Sequence, residues 1–159
     1  MVEMKFLTDR MLGKLTRWLR ISGYDTLSIA DLEVKGEEDD FMLKNFRDRV
    51  LLTKDKELYR KSIKDGRKVI LIKSDSVEGQ MKELMQKGVK FQIVMDRCSL
   101  CNTPLRKPSR DEAIEVILRE KLSEDMLKMD LWYCEKCRKL YWMGGHWKNM
   151  TRFLRKVEK

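Results

Sequence analysis

Short apolar runs alternate with amphipathic stretches over the first 95 residues. Residues 4–8 read as a buried strand. After Asp9, the side chains of Leu12, Leu15, Trp18 and Leu19 fall on one stripe at helical spacing, and Gly23 is placed to end that helix near Ser22. Residues 24–29 suit a second strand. The acidic run Glu37-Glu38-Asp39-Asp40 opens a helix to about Phe46, with Phe41, Leu43 and Phe46 as its buried contacts. A third strand over 50–53, a helix over 56–64, a fourth strand over 68–72 and a helix over 77–86 follow, with Asp75 and Glu78 at capping-box spacing. Residues 91–94 read as a fifth, edge strand.

Strands that alternate with helices of this length predict an α/β fold, a parallel sheet flanked by helices on both faces. Right-handed crossovers bring all the strand-to-helix turns to one edge. In open sheets of this kind, ligands bind outside the carboxyl ends of the strands. Asp9, Asp55 and Asp75 each stand just past a predicted strand end, so the fold draws them towards one edge.

From Asp96 the pattern changes. Cys98-x-x-Cys101 and Cys134-x-x-Cys137 bracket a segment with Pro104, Pro108 and a charged helix near 111–122. Gly144-Gly145-His146-Trp147 then leads into a basic helix. We divide the chain into an α/β domain over 1–95 and a small ribbon with that helix over 96–159. In each knuckle a tight turn points two thiolates at one ion, and four thiolates close a tetrahedral Zn²⁺ site with no place for water. Such a site is structural and lets a small unit fold without much core.

Lys and Arg number 35 against 26 Asp and Glu, a net charge of +9. That balance favours an anionic partner, most simply nucleic acid. No apolar run has the length of a membrane span, and the N-terminal residues start a strand rather than a signal peptide. The expectation is a cytoplasmic protein with no membrane partner, in which cysteines serve a metal rather than disulfides.

Phosphodiester hydrolysis needs an activated water and a neutralised leaving oxygen. Mg²⁺ or Mn²⁺ held by converging carboxylates supplies both. The candidates are Asp9, Asp39 or Asp40, Asp55 and Asp75. Each has a plainer role: Asp9 and Asp55 as helix caps, Asp75 in a capping box, Asp39 and Asp40 as partners of a helix dipole. Arg10, Lys14, Arg17 and Arg20 share one face of the first helix, which either grips phosphate or is simply solvated. In the ribbon, Trp132, Tyr133, Tyr141, Trp142 and Trp147 interleave with Lys136, Arg138, Lys139, Lys148 and Arg152. That mixture suits stacking on single-stranded RNA as well as packing of a small ribbon. His146, Trp147 and Lys148 are its candidate RNA contacts.

With these residues in view, the chain resembles the Mut-seven C-terminal RNase family. The opening Phe6-Leu7-Thr8-Asp9-Arg10-Met11-Leu12-Gly13-Lys14-Leu15 with Trp18-Leu19-Arg20 and Gly23-Tyr24-Asp25 carries the likeness. Asp39-Asp40, Leu52-Thr53-Lys54-Asp55, the Gln80 region, both knuckles and Gly145-His146-Trp147 extend it over nearly the whole chain. The resemblance implies a PIN-like nuclease domain fused to a zinc ribbon, cleaving RNA with a divalent metal. Asp9 and Asp55 then take the positions of the PIN acids, Asp39 or Asp40 that of the helical acid, and Asp75 that of the weaker fourth. PIN domains often carry Glu at the helical position, where this chain has two Asp. The endonuclease that matures small-subunit rRNA has the same pairing of domains, which offers ribosomal RNA as a target. The alternative is a non-catalytic RNA- or ribosome-binding module on the same fold.

Overall fold

Four parallel strands form one sheet in the order β2-β1-β3-β4: β1 is Phe6–Thr8, β2 Thr26–Ser28, β3 Val50–Thr53 and β4 Val69–Leu71. They belong to a computed structural model that describes residues 4–159. Residues 1–3, read from sequence as the entry to the first strand, lie outside the described residues. The crossovers carry α1 (Gly13–Ile21), α2 (Glu38–Lys44) and α3 (Lys56–Lys64), and α4 (Val77–Met85) follows β4. Side-chain alternation along the strands builds two cores. Phe6 and Leu52 face Leu15, Leu19 and Met81 on the α1/α4 side, whereas Leu7 and Leu51 face Met42 and Leu58 on the α2/α3 side. No helix among the described residues is long and apolar enough to cross a membrane.

Three local expectations are corrected. Residues 91–94 form no strand; they lie along the end of α1, where Val94 N donates to Ile21 O at 3.0 Å. The Ser22 hydroxyl also bonds both Gln92 O and Gln92 N. The backbone of this segment is thus satisfied by a helix end rather than by a sheet edge. Phe46 is 37% exposed in a left-handed conformation (φ 53°), because α2 stops at Lys44, and Met42 is the buried residue instead. The cap of α4 is Ser76, whose hydroxyl accepts from Gly79 N at 3.0 Å, so Asp75 is not a capping residue.

The ribbon consists of α5 (Arg110–Arg119) and an antiparallel pair, β5 (Trp132–Cys134) and β6 (Lys139–Tyr141). Val116, Ile117, Tyr133 and Leu140 form its own small core. Each knuckle ends in a left-handed residue, Asn102 (φ 72°) after Cys101 and Arg138 (φ 55°) after Cys137. These turns bring all four sulfurs within 4.8 Å of one another. The Cys101–Cys134 and Cys98–Cys137 sulfurs are 3.4 and 3.9 Å apart. Tetrahedral zinc–thiolate bonds of about 2.3 Å set sulfurs roughly 3.8 Å apart, so the group can hold a metal such as zinc. Burial opposes ionisation of Cys101, but hydrogen bonds from Thr103 and the neighbouring thiols outweigh it and bring its pKa to about 6.

A polar latch ties the ribbon to the sheet at the edge where the strands begin. Asn102 Nδ2 donates to Asp25 Oδ1 at 2.8 Å, and Asn102 Oδ1 accepts from Thr26 N at 3.0 Å. Arg49 bonds the same Asp25 oxygen at 2.8 Å and also Phe6 O. Arg20 donates to Ser99 O and Leu100 O, to Thr26 O, and to Asp31. The last helix, α6 (Gly145–Glu158), is the exception to the grouping drawn from sequence. Its Leu154 and Val157 enter the α1/α4 core, and Phe153 stacks on Trp18 with centroids 5.3 Å apart.

Two outcomes are expected. The purified protein should carry one zinc per chain by metal analysis, and Cys134→Ser should lose it together with the near-ultraviolet signal of the ribbon aromatics. The Asp25 carboxyl resists ionisation through burial, yet Arg49 and Asn102 hold it below its ordinary 3.8. Its contribution is therefore present above that value and is lost as pH falls through the lower folded one. Urea midpoints taken from about pH 5 to pH 2 should fall more steeply for wild type than for Asp25→Asn. Equal slopes would remove Asp25 from the latch.

Candidate active site

The strand order reverses between β1 and β3, since the chain runs outward from β1 to β2 and then returns to β3. That reversal opens a crevice at the carboxyl ends of β1 and β3, where open α/β sheets bind ligands. Parallel pairing sets Thr8 opposite Leu52, so the next residues, Asp9 and Thr53, are neighbours.

Asp9 is 7% exposed and anchored from two sides. Its Oδ1 caps the 3₁₀ turn Arg10–Leu12 by accepting from Met11 N at 2.9 Å. Its Oδ2 accepts from Thr53 Oγ1 at 2.6 Å and from Lys54 N at 2.9 Å. A carboxylate has about four lone-pair positions, so these bonds leave Oδ1 one free. Capping and ligand duty are thus compatible in one side chain. The Thr53 hydroxyl in turn accepts from Asp55 N at 3.0 Å, linking the two acids. Asp55 caps α3 through Oδ1, which accepts from Glu57 N and Leu58 N.

Asp39, in the first turn of α2, completes the group. Its carboxyl is pushed up from the ordinary aspartate value, first by burial, then by the charge of Asp55, a hydrogen bond shared with Asp55, and the charge of Asp9; Lys61 partly offsets this. Three carboxylates from three different elements therefore lie within mutual electrostatic reach. Arg10 helps to hold α2 there, its Nη2 meeting Glu38 Oε2 at 2.6 Å. The arrangement is open rather than caged. Among the described residues only the four cysteines bring three or more ligand atoms all within 4.8 Å of one another. An open set suits Mg²⁺ or Mn²⁺, which keep several waters and use one or two carboxylates.

Other candidates fall elsewhere. Asp40, the next residue of α2, is exposed where Asp39 is half-buried. Asp75 is exposed and pairs with Lys54 Nζ, which holds its carboxyl below the ordinary value. On α1, Lys14 and Arg17 are exposed and form no ion pair among the described residues, whereas Arg10 is engaged by Glu38. Arg20 is 3% exposed, so it leaves the proposed cationic face for the latch; its position faces backbone carbonyls that only a buried multi-donor side chain can satisfy. His146, Trp147 and Lys148 open α6, and His146 lines a groove with Ile21 at the far end of α1 from Asp9. A nine-residue helix spans about 13 Å, so these residues are not neighbours of the acids.

Sequence reasoning missed Thr53 and Lys54 as site residues. Their signal was the β1–β3 pairing, since parallel register makes the residue after one strand the neighbour of the residue at the end of the other. Lys54, Lys56 and Lys73 also line a cleft of about 470 Å³ at the ends of β3 and β4.

Searches against curated proteins and against solved structures returned no match. The profile of the Mut7-C RNAse domain, by contrast, matches residues 4–154, spanning the acids, the cysteines and most of α6. The match covers nearly the whole chain, and the chain belongs to the Mut7-C RNAse domain family.

Proposed function

We propose that the protein is a divalent-metal-dependent endoribonuclease whose ligands are Asp9, Asp39 and Asp55. The observation that carries this reading is the link of Asp9 to Asp55 through Thr53 at the carboxyl ends of β1 and β3, with Asp39 close enough for both charges to act on it. Folding like charges together costs free energy unless a cation or proton neutralises them. A bound Mg²⁺ or Mn²⁺ would make water more acidic and neutralise charge at the phosphate. The chain's own residues do the rest. Thr53 and the Lys54 amide fix the orientation of Asp9. The cleft beside the acids offers Lys56 and Lys73 to the RNA backbone, Lys54 being paired with Asp75, and Lys14 and Arg17 add exposed cations on α1. Ribosomal RNA is the target class we favour, on the architectural likeness to the rRNA-maturing endonuclease alone.

Mn²⁺ or Mg²⁺ at about a hundredfold its dissociation constant should raise the melting temperature of wild type by roughly 5 °C or more. Asp9→Asn and Asp39→Asn should abolish that shift and lower single-stranded RNA cleavage by more than about a hundredfold. Asp40→Asn and Asp75→Asn should keep the cation-induced shift. Thr53→Val, which keeps the shape and removes the hydroxyl, should lower cleavage while leaving the zinc content unchanged. RNA binding without cleavage, indifferent to all the acid variants, would point instead to a non-catalytic RNA-binding module.

A further inference from the structure

The seam between the ribbon and the α/β body holds a groove of about 340 Å³. That lies within the range of small-molecule clefts, about 300–1,000 Å³. Its apolar walls come from Ile21 at the end of α1, from residues 93–95, and from Tyr141 and Trp142 at the end of β6. Its charged lining groups are cations: Arg97 and Lys139 line it beside the imidazole of His146, and no carboxylate does. Arg97 is itself held by Asp25 at 3.7 Å and by Asn102 O. Lys139 makes no ion pair among the described residues and sits with its Nζ 5.9 Å from the Tyr141 ring centroid. His146 is exposed and meets Trp142 edge to face, with centroids 6.0 Å apart and planes at 87°. Two rings at right angles make a corner in which a flat heterocycle can lie on one face and against one edge.

The corner depends on a close backbone approach. A Cβ at Gly144 would come within 2.4 Å of Trp142 Nε1, so the indole lies directly on the chain there and any larger residue displaces it. An anionic ligand with a flat, stackable part fits the groove better than an acidic peptide, whose carboxylates the cations would suit but whose side chains would leave the aromatic corner unfilled. Single-stranded RNA supplies both parts along one chain, a base for the corner and phosphate for Lys139.

We infer that this groove between ribbon and body is a second RNA-contact site, which takes an unpaired nucleobase in the corner formed by Trp142 and His146 and its flanking phosphate at Lys139. It rests on the reading of RNA as substrate. It goes further in giving the ribbon a substrate-holding role separate from the carboxylates, at the other end of α1.

The test uses the full zinc-loaded chain without added Mg²⁺ or Mn²⁺, so that RNA is bound and not cut. A 5′-labelled single-stranded oligoribonucleotide of about ten residues is titrated by fluorescence anisotropy. Photocross-linking of a 4-thiouridine version, read by mass spectrometry, locates the contact. The expected result is a cross-link within residues 141–148, with affinity lowered about tenfold by His146→Ala, as for the loss of one stacking partner. Lys139→Ala and Gly144→Ala should also weaken binding. Because His146 and Lys139 are not in the ribbon core, their variants keep the near-ultraviolet spectrum and zinc content of wild type, which separates lost contact from misfolding. Cross-links confined to α1 and the lysine cleft, with unchanged affinity in all three variants, would overturn the groove site and leave the nuclease reading standing. Loss of cation-dependent cleavage in the acid variants tests that reading separately. Equal affinity for a nucleoside monophosphate and for the oligoribonucleotide would also overturn the proposal, by making the groove a mononucleotide pocket.

Discussion

The carboxylate of Asp9 is the point on which the rest of the α/β body depends. One oxygen starts the first helix, and the other grips the end of the neighbouring strand through Thr53 and the Lys54 amide. A single buried side chain thus fixes where α1 begins, how β1 and β3 end, and where Asp55 stands. Hydrogen bonds to a charged group contribute about 1.5–3 kcal/mol each when buried, so this junction is stiff. Asp39 arrives from a third element, α2, whose buried Met42 packs against Leu7, Leu51 and Leu58 and whose Glu38 meets Arg10 in an exposed ion pair. Asp9 and Asp55 are thus joined by hydrogen bonds through Thr53, whereas Asp39 is positioned by the packing of its helix.

The ribbon stands at the other edge of the sheet. Arg20 and Asn102, one from each part of the chain, trade hydrogen bonds across the seam with Thr26, Asp25 and the knuckle carbonyls. Asn102 is held in its left-handed conformation by the same turn that aims Cys101 at the metal position. A metal held by the cysteines would accordingly be coupled to docking of the ribbon through one residue. The acids lie at the other end of the strands from this latch, so the cysteine cluster and the carboxylates occupy separate places in the fold.

Much of this was legible from residues alone, for identifiable reasons. The strand and helix boundaries from Val50 to Lys64 follow the apolar pattern closely, because tight β–α turns capped by Asp55 leave little freedom. The cysteine knuckles were legible because thiolate spacing and metal geometry constrain each other. Choosing between Asp39 and Asp40 was not, since adjacent positions in the first turn of a helix differ only by a rotation that tertiary packing sets. Arg20 misled for a related reason: helical periodicity assigns it to a face, but the ribbon later covers that face and converts a surface cation into a buried donor. The segment 91–94 has strand-like composition, yet its partner is Ser22 and the end of α1, a pairing that no local pattern encodes.

The position of α6 has a consequence for how the molecule comes into being. Leu154 and Val157 close the same core that Phe6, Leu15 and Leu19 begin. During synthesis, which proceeds from the N-terminal side, α4 covers part of that apolar face early, and the part that α6 covers stays open until residues beyond 150 have left the ribosome. Contacts of such long sequence separation are slow to form. The nascent RNase domain therefore waits in an unfinished state while the knuckles, whose halves are only a few dozen residues apart, can already capture their ion. The ribbon can thus complete its cysteine cluster before α6 closes the last side of the body's core.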